Sequence, residues 1–166
     1  MLTEKLKERF PDAILDARIE HGDETVTVNR DRGNDFFRAL RDEPGFEFNL
    51  LVDVTAVDWP DRKPRFEVVY HLNSLTLGHR LRVKIPVDAA GAWVHSLTGL
   101  WGSADWLERE CFDMFGIAFK GHPDLRRILM YDSFEGYPLR KDYLYNKRQP
   151  VVEEIDPVVH PLHPSK

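Results

Sequence analysis

Three stretches of alternating apolar and polar residues limit this chain more than any other feature. They are "FEFNLLVDVTAVDW" (46–59), "RFEVVYHLNS" (65–74) and "HRLRVKIPV" (79–87), separated by the turn-rich segments DRKP and LTLG. Successive strand side chains point to opposite faces, so a period of two fits a sheet with one face buried. In the third run Leu81, Val83 and Ile85 alternate with Arg80, Arg82 and Lys84. One face of that strand must therefore meet a core, and the other is wet or covers something polar.

The preceding residues supply more of the same layer. "AILDARIE" and "ETVTVNR" alternate around "HGD", which predicts a β-hairpin with Gly22 in the turn. Leu2, Leu6 and Phe10, four apart and stopped by Pro11, predict a short amphipathic helix. Phe36, Phe37 and Leu40 predict a second helix, with Asn34 as its N-cap and Pro44-Gly45 as its stop. The expected fold is a two-layer α+β domain in the order α-β-β-α-β-β-β. Its mixed sheet has about five strands with helices on one face, then comes a further helix and an extended C-terminal arm.

The further helix spans 103–115. Leu107, Cys111, Met114 and Phe115 make one apolar stripe, Asp105, Arg109 and Asp113 are spaced to form an ion-pair ladder, and Gly116 closes it as the C′ residue. After Gly116 the periodicity ends. Residues 117–166 carry Pro123, Pro138, Pro150, Pro157, Pro161 and Pro164 among scattered apolar anchors such as Leu125, Leu129, Phe134, Leu139, Tyr143 and Tyr145. The expected division is an α+β domain at 1–116 and an arm at 117–166 that folds against another protein.

Composition narrows the function. A net charge of −5 argues against general affinity for nucleic acid or anionic lipid. One cysteine, Cys111, allows no internal disulfide and no cysteine-based zinc or iron–sulfur site; it is read as a buried, inert thiol in a reducing compartment. The N-terminal MLTEKLKERFPDA lacks a signal peptide's apolar stretch, and no window approaches the ~18 apolar residues of a spanning helix. Membrane association is expected only through a partner. Phosphate-loop, dinucleotide, zinc-protease and nucleophile-elbow motifs are absent.

The densest chemistry lies in "ERECFDMFGIAFKGHPDLRRILMYDSFEGYPLRKDY" (108–143). "GHPDLRR" and "GYPLRK" echo one another, each using Gly and Pro to aim a basic pair: Arg126 with Arg127, and Arg140 with Lys141. Those bases can meet Glu108, Glu110 and Asp113 within the chain, or carboxylates on a partner. His122 with Glu108 or Glu110 admits an acid–base reading, although nucleophile and metal set are lacking; a turn histidine is the plainer reading. His160 and His163 are read as a polar terminus. RNA binding is weakened by Asp132, Glu135 and Asp142 among the bases.

"ADWLERECFDMFGIAFKGHPDLRRILM" followed by "FEGYPLRKDY" resembles the signature of the 30 kDa subunit family of respiratory complex I, the proton-pumping NADH–quinone oxidoreductase. The likeness covers roughly residues 48–143. Two departures are visible: the family's second Gly-His-Pro unit reads Gly136-Tyr137-Pro138, and Leu144 stands where proline is common. The resemblance implies an accessory subunit with no catalytic, cofactor-binding or metal-binding residues of its own. FMN, iron–sulfur clusters and quinone would lie in partner subunits. It implies a hetero-oligomer peripheral to the cytoplasmic side of the bacterial inner membrane. The arm would dock on the quinone-site (49 kDa-type) subunit near the iron–sulfur subunits. The matching residues, expected to organise the helix-to-arm junction, are Glu108, Arg109, Glu110, Asp113, Gly116, Gly121, His122, Pro123, Arg126 and Arg127. Pro138, Arg140, Lys141 and Asp142 would pin the arm's second turn. Related subunits occur in membrane-bound hydrogenases and other dehydrogenases, so an equivalent role there is the alternative; a free-standing acid–base enzyme using His122 is a further one.

Overall fold

A computed structural model describes residues 1–149. Helix α1 (Leu2–Arg9) leads into the hairpin of β1 (Ile14–Glu20) and β2 (Asp23–Val28). Its two connecting residues, His21 and Gly22, both have positive φ, 54° and 87°. That pair of left-handed residues gives a turn whose twist matches the flanking strands. Helix α2 (Gly33–Asp42) precedes β3 (Leu50–Asp58), β4 (Phe66–Ser74) and β5 (His79–Val87); β6 (Trp93–His95), α3 (Ala104–Phe115) and β7 (Ala118–Lys120) follow.

The main sheet has the order β1-β2-β5-β4-β3. The pairs are antiparallel except β2 with β5, which makes the sheet mixed. Register aligns Val54, Tyr70, Val83 and Val26 in one row across four strands. All four are buried, and the same cluster takes in Leu6 of α1, Phe37 and Leu40 of α2, and Cys111 and Met114 of α3. Both expected layers are therefore present. The adjoining row His71, Arg82 and Thr25 lies on the other face, where Lys84 meets Glu67 at 3.3 Å. This is the polar face that the alternation of β5 predicted.

Two local details differ from the sequence reading. Helix α2 begins at Gly33 rather than after an Asn34 cap: the chain enters it through a single 3₁₀ turn, Arg30–Arg32, whose capping oxygen belongs to Asn29 and accepts from Asp31 N at 2.9 Å. The short parallel pair β6–β7 was not foreseen. Three residues carry too little period to register as a strand, and parallel partners far apart in sequence leave no local signal. Val94 and Phe119 face each other in that pair and both are buried. The chain thus stays in the core through Phe119 before it turns outward.

Candidate functional site

Helix α3 is the platform. Leu107, Cys111, Met114 and Phe115 give it a face against the core, and burial pushes the Cys111 thiol well above its usual pKa, as expected of an inert cysteine. Gly116 ends the helix with φ 71°, and its N–H returns to Phe112 O at 2.8 Å. The left-handed turn aims the chain away from the helix axis, and residues 126–142 then fold back onto the helix from outside.

Asp113 organises that return. Its side chain is fully buried. Oδ2 accepts the backbone N–H groups of Ile128, Leu129 and Met130 at 3.1, 2.8 and 2.8 Å. Oδ1 accepts Arg127 Nη1 at 2.7 Å, and Arg127 Nη2 goes on to Gly136 O at 3.0 Å. Burial alone would raise this carboxyl's pKa, but the three amides and the guanidinium outweigh it and hold it below the usual range. One side chain therefore satisfies three consecutive backbone donors of a segment that has no ladder of its own. Arg109, one turn earlier on the helix, serves the carbonyls of the same segment, donating to Arg126 O at 3.2 Å and Arg127 O at 3.1 Å.

The second turn closes the helix end. Leu139 N donates to Met114 O at 3.1 Å, and Arg140 donates to the carbonyls of Phe115 and Gly116. The last turn of α3 contains no basic residue, so Arg140 brings the cation that complements the negative helix terminus. Its guanidinium lies 4.5 Å from the Tyr137 ring centroid and 5.1 Å from that of Phe66. Tyr137, one of the departures from the family motif, presses so closely on Gly116 that a Cβ there would sit 2.5 Å from Cε2 and Cζ of the ring. Gly116 is required for its backbone angle and for this contact alike.

A third lock was invisible in the sequence. Asp58, at the end of β3, accepts Arg65 Nε and Nη2 at 2.7 Å each and Lys141 N at 2.8 Å. Arg65 Nη1 reaches Asp142 at 2.8 Å. The paired hydrogen bonds from Arg65 lower the Asp58 pKa despite its burial, and the same contacts raise that of Arg65. Asp58 and Arg65 are members of the junction that sequence reasoning missed. They flank the β3–β4 turn, and only the pairing of Asp58 with Phe66 brings Arg65 alongside.

The remaining candidates divide. Gly121 has φ 90° and Gly136 φ 95°, so each turn has its left-handed glycine. Pro123, Arg126, Lys141 and Asp142 are exposed and Pro138 is half-buried; Arg126 pairs with Asp124, at 2.9 Å. Glu110 is also exposed. Glu108 is fully buried and accepts Leu97 N at 2.6 Å and Ser96 Oγ at 2.7 Å. Burial pushes its pKa up to about 7, against the pull of those two donors.

The acid–base pairing of His122 with Glu108 or Glu110 is not formed. His122 Nδ1 accepts Asp124 N at 3.0 Å, and Nε2 lies 3.1 Å from Asp105 O and 3.3 Å from Asp105 Oδ1. Its side chain is fully buried, so it is a turn histidine. The Asp105–Arg109–Asp113 ladder is absent for a related reason: Asp105 meets His122, while Arg109 and Asp113 are taken by the returning chain. Solvated ion pairs along a helix contribute little, and backbone groups without partners contribute a strong alternative demand. Residues 160 and 163 lie outside the described residues. Among the described residues no group of three or more His, Cys, Asp or Glu could hold a metal ion, and no helix is long and apolar enough to cross a membrane.

A family model described as "Respiratory-chain NADH dehydrogenase, 30 Kd subunit" matches residues 26–149. An NADH-quinone oxidoreductase subunit of Citrifermentans bemidjiense (strain ATCC BAA-1014 / DSM 16622 / JCM 12645 / Bem) is 52% identical over 139 residues, 84% of this chain and 85% of that protein. The corresponding NADH-quinone oxidoreductase subunit of Roseiflexus sp. (strain RS-1) is 52% identical over 84% of this chain and 80% of its own. Among solved structures, the trypsin-resistant fragment (1-134) of Nqo5 superposes with a TM-score of 0.63 at 33% identity, over 75% of this chain and 96% of that one. A chain of the membrane-bound sulfane sulfur reductase, an archaeal respiratory membrane complex, gives 0.72 at 28% identity, over 87% of this chain and 85% of that one. With the match spanning every strand from β3 to β7, helix α3 and both turns of the junction, the chain belongs to the 30 kDa subunit family of the respiratory-chain NADH dehydrogenase, complex I.

Proposed function

We propose that this chain is an accessory subunit of proton-pumping NADH–quinone oxidoreductase, holding no redox centre, whose arm docks on the quinone-site (49 kDa-type) subunit. FMN, iron–sulfur clusters and quinone are then carried by the neighbouring subunits, and the chain sits peripherally on the cytoplasmic side of the inner membrane. One observation carries the docking part of this reading. The returning segment directs Arg127 and Arg140 inward, onto α3, and from there to residue 145 leaves Leu129, Leu139, Leu144 and Tyr145 exposed by 58, 51, 67 and 97%. Four large apolar side chains left outward on a segment whose backbone is anchored to α3 fit a surface completed by another protein. The division into a domain at 1–116 and an arm at 117–166 belongs to this proposal, although Ile117 and Phe119 are still buried in the core.

The experiment is a mild-detergent purification from native membranes through a tag on this chain, with mass spectrometry of its companions. Recovery of the quinone-site subunit, cluster-bearing subunits and an NADH-oxidising module is expected, and Leu139→Asp should lose them while the chain stays folded. Recovery of a nickel–iron hydrogenase subunit instead would move the chain to that related assembly. Recovery of the chain alone would overturn both.

A further inference from the structure

The two strands of the small sheet carry a cationic cluster that the junction does not use. Trp93 of β6 has Lys120 Nζ 3.3 Å from its ring centroid and the Arg30 guanidinium 4.2 Å from it, and His95 packs edge-on to the same ring at 5.2 Å. Lys120 is placed there by register, since Trp93 pairs with Ala118 and His95 with Lys120. Arg30 comes from the 3₁₀ turn ahead of α2, over 60 residues away in sequence. Among the described residues its only carboxylate partner is the adjoining Asp31, at 3.2 Å and 68% exposed, a surface pair of the kind that contributes ~1 kcal/mol or less. Lys120 is exposed, and among the described residues no carboxylate lies within ion-pairing distance of it.

We propose that Lys120 and Arg30, held on Trp93, receive an acidic segment of a neighbouring subunit. The chain as a whole has a net charge of −5, so two cations gathered on one ring run against its general field. Stacking also fixes two otherwise flexible side chains before any partner arrives, which reduces the ordering cost of a contact. Carboxylates are the complementary chemistry, and the aromatic ring between the cations supplies the apolar floor that such contacts favour. Lys120 immediately precedes the Gly121 turn, at the point where the chain leaves the small sheet. The inference rests on the subunit reading above insofar as a neighbouring chain must be present.

Carbodiimide coupling of the intact purified complex tests it, because that reagent joins an amine only to a carboxylate already in contact. A Lys120 peptide coupled to an Asp or Glu of another subunit is the expected product. Lys120→Glu should abolish that product and release the chain at several-fold lower salt, whereas Lys120→Arg should restore retention; circular dichroism of both variants should match the parent. Coupling of Lys120 to its own chain or to a second copy would overturn the proposal. So would Lys120 being acetylated equally fast in the complex and in the isolated chain. Either of those results in a complex that still contains the quinone-site subunit would leave the docking of the arm standing, whereas a chain recovered alone would remove both.

Discussion

Asp113 and Arg127 meet at 2.7 Å across 14 residues of sequence, both withdrawn from solvent, and the same carboxylate carries three consecutive backbone amides of the strand-less segment that follows. Removing it leaves a guanidinium and three N–H groups without their acceptor. Asp113→Ala should therefore cost about 3–5 kcal/mol, the range for breaking a buried pair from one side. Asp113→Asn keeps the shape and one acceptor oxygen and should cost less. Urea unfolding of the two variants checks the order; equal and small losses would mean that solvent replaces these contacts freely.

Gly116 and Tyr137 leave no room for a methyl group, since a Cβ would approach the ring to 2.5 Å. Gly116→Ala adds the left-handed backbone cost of about 1–2 kcal/mol to displacement of the ring. The expected outcome is a helix α3 that persists while residues 137–149 loosen, read as faster proteolytic cleavage in that segment than at any site before residue 116. Uniform cleavage along the chain would contradict it.

Arg65 stands between two carboxylates of unequal burial. Asp58 is inaccessible at its side chain whereas Asp142 is 60% exposed. Arg65→Ala strands a buried charge and should cost about 3–5 kcal/mol. Asp142→Asn removes only the outer arm of the bridge and should cost under ~1 kcal/mol. Thermal unfolding of the pair separates them.

Glu108 predicts a pH dependence. Its pKa rises from 4.5 to about 7 on folding, so the folded state binds the proton more tightly than the unfolded chain. The stability associated with that proton is complete below pH 4.5 and lost as pH climbs toward 7, roughly 3 kcal/mol in all. Asp58 and Asp113, held below 3.8, act in the opposite direction but finish at lower pH. Glu108→Gln should flatten the slope of unfolding free energy between pH 5 and 7. An unchanged slope would assign it to another group.

Arg140 ties the returning segment to the helix end through the carbonyls of Phe115 and Gly116. Arg140→Ala should lower the amount of assembled complex in membranes and leave turnover per assembled complex unchanged. Normal assembly with slowed electron transfer would favour a role nearer the chemistry.

Much of this was legible because local chemistry enforced it. The alternation in β3, β4 and β5 announced strands with one wet face, the stripe on α3 announced its buried side, and Gly116 announced the helix end. Asp113, Arg127 and Arg140 stood out as charges in a dense motif, although their partners did not. Asp58 and Arg65 looked like ordinary strand-end and turn residues. His122 and Glu108 looked available to each other, and each had already been taken by nearer backbone and hydroxyl groups.

The sequence by itself determined the three helices and the five strands of the main sheet, their order, the core face and the family, because periodicity, turn chemistry and a long spaced motif are all written along the chain. Only the tertiary structure decided which charge meets which. A carboxylate's partner depends on where unsatisfied backbone donors come to rest, and in this chain three of them come to rest on Asp113 only after a left-handed glycine has turned the chain back on its own helix.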